Sequence, residues 1–107
     1  MNFNYMGFTD ILNILGFYPE RQFDSRRWKS VPRDRRYYIK SVLRNQSYIG
    51  KSRAEIEELF GINESSNGFI SRCSYYIHTK GKKKYYLAFY YNDDQLEDIR
   101  YEYKMLV

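Results

Sequence analysis

The feature that most constrains the fold is an alternation of apolar and polar side chains that begins at Phe69. A period of two places successive side chains on opposite faces of a strand, so this run is typical of a sheet with one buried face. Turn-forming residues divide the run into three strands, which predicts an antiparallel meander over residues 69–105. Ile77, Leu87 and Phe89 are expected to face the core.

Two local features predict the register of these strands. If odd-numbered residues of the first two strands pair with each other, the loop between them holds an odd number of residues. The tripeptide Thr79-Lys80-Gly81 meets this need as a three-residue hairpin loop, with its glycine in the left-handed conformation. In the last strand the apolar positions change parity between Leu96 and Ile99, which predicts a bulge near Glu97-Asp98.

The N-terminal part of the chain has helical periodicity instead. Apolar residues at helical spacing predict a short helix over residues 8–17 and a longer one over residues 33–45. The clearest local pattern is Ser52-Arg53-Ala54-Glu55, a capping box that starts a third helix, which we expect to end at Gly61. The only tryptophan, Trp28, is expected to be buried between the helices and the sheet.

This order of elements predicts an α+β fold, in which N-terminal helices pack on one face of a three- or four-stranded antiparallel β-meander. A chain of 107 residues is the length of one domain. We therefore expect a single domain over residues 1–107, with its helical part in residues 1–62 and its sheet in residues 69–105.

The single cysteine, Cys73, excludes an internal disulfide and a zinc site built from several thiolates. We expect it to be a small buried residue, and we expect neither a metal nor a cofactor. No apolar run reaches the roughly 18 residues of a membrane span. The N-terminus lacks the basic region and the cleavage site of a signal peptide, so a cytoplasmic protein is expected.

Positive charge is concentrated in one segment of the chain. The net charge is +5, yet residues 21–53 alone hold eleven Lys or Arg and only two Asp. Either two solvated faces of opposite sign partly neutralise each other, or a basic surface attracts an anionic partner, which would be nucleic acid or an acidic protein.

Residues 48–61, YIGKSRAEIEELFG, resemble the pattern hydrophobic–x–G–x–[ST]–x–x–E–[VI]–x–x–L–[LF]–G of the BamE/SmpA (OmlA-like) family. Tyr75-Tyr76-Ile77 and Leu87-Ala88-Phe89 resemble the core strands of that family, so the likeness covers residues 48–103. It implies the BLIP-like α/β layout of the β-lactamase-inhibitor protein and a role in binding proteins without catalysis. Gln95 stands where the family usually has Gly, and the lipobox Cys of its envelope members is absent.

The candidates for catalysis are few. Cys73 and His78 lie five positions apart in a predicted strand, so their side chains are expected on opposite faces, which disfavours a Cys/His nucleophile pair. We expect His78 at the surface. The class of enzyme that stays open is a small metal-free ribonuclease, which needs only an acid, a base and a cation around a phosphate.

The predicted sheet turns a tyrosine-rich face away from the helices. Its tyrosines either pair across the strands and only stabilise the sheet, or form a surface that binds a partner. The candidate protein-binding residues on this face and its hairpin are Tyr76, His78, Lys80, Lys82, Lys83, Lys84, Tyr86 and Tyr90. A secondary basic patch comprises Arg33, Arg35, Arg36, Lys40 and Arg44.

The leading hypothesis for function is a non-enzymatic protein-binding domain, a small cytoplasmic inhibitor or immunity-type protein that neutralises a partner such as a toxin. One alternative is a BamE-like envelope assembly factor that lacks its signal peptide. Another is a basic nucleic-acid-binding module, for which we expect weak, non-specific association, or the small metal-free ribonuclease.

Overall fold

A computed structural model describes residues 4–5, 7, 20–62 and 71–106 of the chain. Its sheet has four strands in the order β1-β4-β3-β2, and all neighbours are antiparallel. The strands are β1 (Asn4–Tyr5), β2 (Arg72–Lys80), β3 (Lys83–Asn92) and β4 (Gln95–Met105). The helices precede β2 in the chain, so the predicted α+β class is confirmed.

The helical part consists of short elements. Three are α-helices, α1 (Ser25–Ser30), α2 (Ile39–Arg44) and α3 (Arg53–Phe60), and two are 3-10 helices, Pro32–Tyr37 and Gln46–Tyr48. The single helix predicted over residues 33–45 is therefore wrong. The tighter 3-10 spacing aligns residues three apart, and it turns both Arg35 and Tyr38 toward the core. The helix predicted over residues 8–17 lies outside the described residues.

Helix α3 begins at the predicted capping box. The backbone N–H of Glu55 donates to Ser52 Oγ at 3.2 Å, and the backbone N–H of Ser52 donates to Glu55 Oε1 at 3.0 Å. The bond from the Ser52 backbone, and next one from the Ser52 side chain, lower the pKa of the Glu55 carboxyl, because they favour its charged form. The helix ends at Gly61, whose φ of 89° lies in the left-handed region that favours glycine.

Replacing Ser52 by Ala is expected to lower the free energy of unfolding by about 1 kcal/mol, because the N–H of Glu55 loses its acceptor. Chemical denaturation measures the change. The matched control is Ser47→Ala, since Ser47 is exposed and its hydroxyl caps no helix. Equal midpoints for the two variants would contradict the assignment of the cap.

The core is built from aromatic rings between the helices and one face of the sheet. Phe60 of α3 lies 5.3 Å from Trp28 and 4.7 Å from Phe89 of β3, measured between ring centroids. Trp28 is 0% exposed, which confirms its predicted burial. It lies 6.0 Å from Tyr75 of β2, so this one ring joins α1 to the sheet.

Two bulges set the register of the strands. In β4, Tyr90 pairs with Asp98 and Tyr91 pairs with Leu96, so Glu97 is the extra residue and the bulge predicted at this point is confirmed. In β2, Tyr76 pairs with Tyr86 but His78 pairs with Tyr85, so Ile77 is the extra residue of a second bulge that was not predicted.

The loop between β2 and β3 differs from its prediction. It is a two-residue turn, Gly81-Lys82, between the paired residues Lys80 and Lys83, and the φ of Gly81 is 60°. A two-residue turn pairs an even position with an odd one, and the bulge at Ile77 restores the odd-with-odd pairing further along the strands. The three-residue loop was therefore wrong, although the left-handed glycine is confirmed.

Candidate binding surface

The pleat of the sheet gives β2, β3 and β4 a face that is turned away from the aromatic core. We call it the outer face. It carries Arg72, Ser74 and Tyr76 of β2, Lys84, Tyr86, Ala88 and Tyr90 of β3, and Asp98, Arg100, Glu102 and Lys104 of β4. The predicted outward position of Tyr76, Tyr86 and Tyr90 is confirmed, and all three are half-buried.

One end of the outer face holds two tyrosines beneath two lysines. The rings of Tyr76 and Tyr86 lie 6.2 Å apart in a T-shaped arrangement. Lys84 Nζ lies 5.2 Å from the ring of Tyr76 and 5.8 Å from that of Tyr86, and Lys104 Nζ lies 5.7 Å from Tyr86. The quadrupole of each ring attracts these ammonium groups, so the end of the sheet is both aromatic and cationic.

Beside these tyrosines the outer face holds a charged network around Glu102, which pairs with Tyr86 across β3 and β4 and bonds Arg72 and Tyr90 further from the hairpin. Its carboxylate accepts from Arg72 Nη2 at 2.8 Å and from the hydroxyl of Tyr90, and it is only 2% exposed. Burial, and next the bond to Glu102, raise the pKa of Tyr90. Arg100 lies 4.6 Å from the ring of Tyr90 and donates to Asp98 at 2.8 Å. Both acids of the outer face are therefore engaged by arginines.

Sequence reasoning missed Glu102, although one signal was present. An acid at this place in an aromatic strand, YEY, would be costly if buried, so it predicts a cationic partner on a neighbouring strand. The partner is Arg72, which lies on the same face but two strands away, so this signal indicated a cation without indicating its strand.

His78 does not lie on the outer face, so its prediction as a surface residue was wrong. The bulge at Ile77 reverses the parity of β2 beyond it and turns the imidazole to the core side, where it is 7% exposed. His78 Nε2 lies 2.8 Å from the hydroxyl of Tyr101. Burial, with the charges of Arg36 and Lys80, lowers the pKa of His78 to about 4.

Because of the same bulge, the expectation that Cys73 and His78 lie on opposite faces of β2 was wrong. Cys73 is buried as predicted, and burial raises the pKa of its thiol. Both side chains turn out to lie on the core side of β2, so opposite faces do not separate them. Their separation along the strand does, because five positions span about 16 Å.

The hairpin lysines lie around the turn that joins β2 to β3. Lys80, Lys82 and Lys83 are exposed, and Lys84 is half-buried against the tyrosines of the outer face. Lys83 projects on the opposite side, where its Nζ lies 4.7 Å from the ring of Tyr103. Within the described ranges none of these four ammonium groups is paired with a carboxylate.

The predicted secondary basic patch is not one surface. Arg35 is 6% exposed, so its inclusion was wrong, because its guanidinium turns inward to bond backbone carbonyls. Arg44 pairs with Glu20 at 2.5 Å. Arg33 and Arg36 instead line a cleft beside β2, and Lys40 is half-buried.

Two other kinds of site are absent from the described part of the chain. In residues 20–62 and 71–106 no group of three or more His, Cys, Asp or Glu side chains is placed to hold a metal ion. No helix there has the length and apolar composition needed to cross a membrane.

Comparison with family models, with curated proteins and with solved structures gives no match.

Proposed function

We propose that this chain is a non-catalytic binding domain that docks an acidic protein through the β2–β3 hairpin and the hairpin end of its outer face, where Tyr76 and Tyr86 lie. Ser74 and Ala88, in the middle of that face, are buried and lie outside the proposed site. The observation that carries the proposal is the position of Lys84 over the rings of Tyr76 and Tyr86, since no carboxylate among the described residues neutralises the charge of Lys84. Tyrosines give a large amphipathic contact area at a small entropic cost, and they are enriched among the residues that dominate binding energies.

Charge favours an acidic partner. At one end of the face Arg72 and Arg100 are already paired with Glu102 and Asp98. At the hairpin end the ammonium of Lys84 lies over aromatic rings, which leaves its hydrogen-bond donors available to oxygen acceptors. An acidic protein surface would meet these ammonium groups, and the same positive field would speed its encounter with this face.

Within this class we propose an inhibitor or immunity-type protein that neutralises a toxin or another enzyme. The support is the BLIP-like order of helices followed by an antiparallel sheet, together with the resemblance of residues 48–103 to a family of protein-binding domains. A BamE-like assembly factor is the alternative on the same resemblance, and the cytoplasmic location stays a prediction from the sequence.

The geometry gives less support to a ribonuclease. Both carboxylates of the outer face are engaged: Glu102 is buried and bonds Arg72 and Tyr90, and Asp98 pairs with Arg100. A general base has to come within hydrogen-bond reach of the proton that it takes. Glu102 therefore fits a structural role in fixing Arg72 and Tyr90 on the outer face.

Replacing Tyr86 by Ala is expected to weaken the complex with the protein partner by at least about 2 kcal/mol, which is roughly 30-fold, if the ring is a hot spot. Affinity capture from the cells that express the protein, followed by mass spectrometry, identifies the partner, and calorimetry then measures its affinity. The matched control is Tyr37→Ala, because Tyr37 is also half-buried beneath a cation, Arg21, but lies on the helical side.

Three outcomes would count against the proposal. Equal affinities for the Tyr86→Ala and Tyr37→Ala variants would place the binding site elsewhere. A captured partner that is lost after nuclease treatment would favour a nucleic-acid-binding module, and tight binding of a single-stranded oligonucleotide at physiological salt would do the same. An envelope protein as the captured partner would favour the assembly-factor alternative.

A further inference from the structure

A cleft of about 580 Å³ separates the 3-10 helix Pro32–Tyr37 from the end of β2. Its helical wall carries Arg33 and Arg36, and its strand wall carries Thr79 and Lys80. The bulge at Ile77 shapes the floor, where Ile77 and His78 line the space. The cleft thus lies beside the edge strand of the sheet and is separate from the charged network of Glu102.

The described lining of this cleft is cationic and holds no carboxylate. Arg33, Arg36 and Lys80 contribute three positive charges, and neither Arg33 nor Lys80 has an ion-pair partner within the described residues. Elsewhere in the same basic segment arginines are neutralised, as Arg27 is by Asp34 at 2.7 Å. Like charges gathered around a concave space raise the local potential, which concentrates anions there.

We propose that this cleft is a binding site for a phosphate monoester carried by a small molecule. The guanidinium of Arg33 and the ammonium of Lys80 supply both the charge and the several donors that a dianion with three terminal oxygens needs, whereas a single carboxylate needs one guanidinium. The hydroxyl of Thr79 lies 2.7 Å from that of Tyr76, and both residues line the cleft.

The size of the cleft favours a ligand larger than phosphate alone. Small-molecule sites usually measure about 300–1,000 Å³, and this cleft falls within that range. Pro32, Ile77 and the edge of Tyr76 add apolar surface beside the cations, which suits the sugar or base of a nucleotide. This site goes beyond the proposed protein docking, since Arg33 and Arg36 lie off the outer face.

The test is a titration with inorganic phosphate and with adenosine 5′-monophosphate at pH 7.5 and constant ionic strength. His78 is the only histidine and lines the cleft, so its ring proton resonances report on binding, together with the backbone amides of Thr79 and Lys80. We expect saturable shifts with both probes and tighter binding of the nucleotide. Arg33→Ala and Lys80→Ala should each weaken binding at least about tenfold. The control Lys82→Ala, with an exposed lysine of the turn, should change it less than twofold.

Four results would overturn the proposal. The first is that neither probe causes saturable shifts, and the second is that chloride causes the same shifts as phosphate at equal ionic strength. The third is that acetate binds as tightly as phosphate. The fourth is that Arg33→Ala and Lys82→Ala weaken phosphate binding equally. Failure here is distinguishable from failure of the docking proposal. Tyr86→Ala should leave phosphate binding unchanged, and Arg33→Ala should leave the capture of the protein partner unchanged.

Discussion

Replacing Arg35 by Leu is expected to lower the free energy of unfolding by about 3 kcal/mol, because it removes a buried group that joins three elements. Arg35 Nε donates to the carbonyl of Trp28 at 3.1 Å, and Nη1 donates to the carbonyl of Tyr76 at 3.1 Å. Its guanidinium also lies 5.1 Å from the ring of Trp28. Leucine would leave both carbonyls without these donors in a partly buried place, and buried unsatisfied groups are costly.

Two further variants make this test specific. Arg33→Leu changes an exposed arginine of the same 3-10 helix, and its effect on stability should stay within about 0.5 kcal/mol. Arg35→Lys keeps the charge but has one ammonium in place of the forked guanidinium, so its stability should lie between those of the wild type and Arg35→Leu. Urea denaturation measures all three. Equal midpoints for Arg33→Leu and Arg35→Leu would show that Arg35 does not hold the elements together.

The role of Arg35 could not be predicted from the sequence. It stands in a run of basic residues, and the helical pattern of residues 33–45 placed it on the solvent side with its neighbours. The chain instead forms a 3-10 helix, whose period of three brings Arg35 onto the same side as Tyr38. Whether a charged side chain turns inward depends on carbonyls from Trp28 and Tyr76, which are distant in sequence, and so on tertiary structure.

The sheet shows which structural features a local sequence pattern can predict. Alternation predicted the strands, the buried positions of Leu87 and Phe89, and the bulge at Glu97, because each of these features depends on residues that are adjacent in the sequence. The bulge at Ile77 left no such sign, since both Ile77 and the residues around it fit an unbroken alternation. The bulge is needed because the turn at Gly81 has two residues, which changes the pairing of odd and even positions. The sequence did not indicate this turn, since Gly81 is compatible with a two-residue or a three-residue loop.

The candidate binding surface was predictable only where its residues follow the regular alternation of the strands. The outward positions of Tyr76, Tyr86 and Tyr90 followed from the alternation alone. Tyr76 precedes the bulge in β2, and β3, which carries Tyr86 and Tyr90, contains no extra residue. His78 lies one residue beyond the bulge, and a shift of one residue reverses the face on which a side chain lies. The cleft between Arg33 and Lys80 joins two segments far apart in the chain, so no sequence pattern indicated it.

Acidification from pH 7 to pH 4 is expected to destabilise the fold by about 3 kcal/mol through His78 alone. Burial, and then the charges of Arg36 and Lys80, lower the pKa of His78 from 6.5 to about 4 in the folded chain. Between these two values the unfolded chain binds a proton that the folded chain does not, so stability falls as the pH falls. The full contribution of neutral His78 is present above pH 6.5.

The variant His78→Gln isolates this effect, because Gln does not titrate and still offers an amide to the hydroxyl of Tyr101. Carboxylates such as Asp34 and Glu55, whose pKa values are lowered by their hydrogen bonds, titrate equally in both proteins and cancel in the difference. We expect the stability of the wild type relative to His78→Gln to decline by about 1 kcal/mol for each pH unit between 6 and 4.5. A constant difference across this range, or a His78 ring resonance that titrates near pH 6.5, would show that the imidazole is hydrated and not enclosed beside Tyr101.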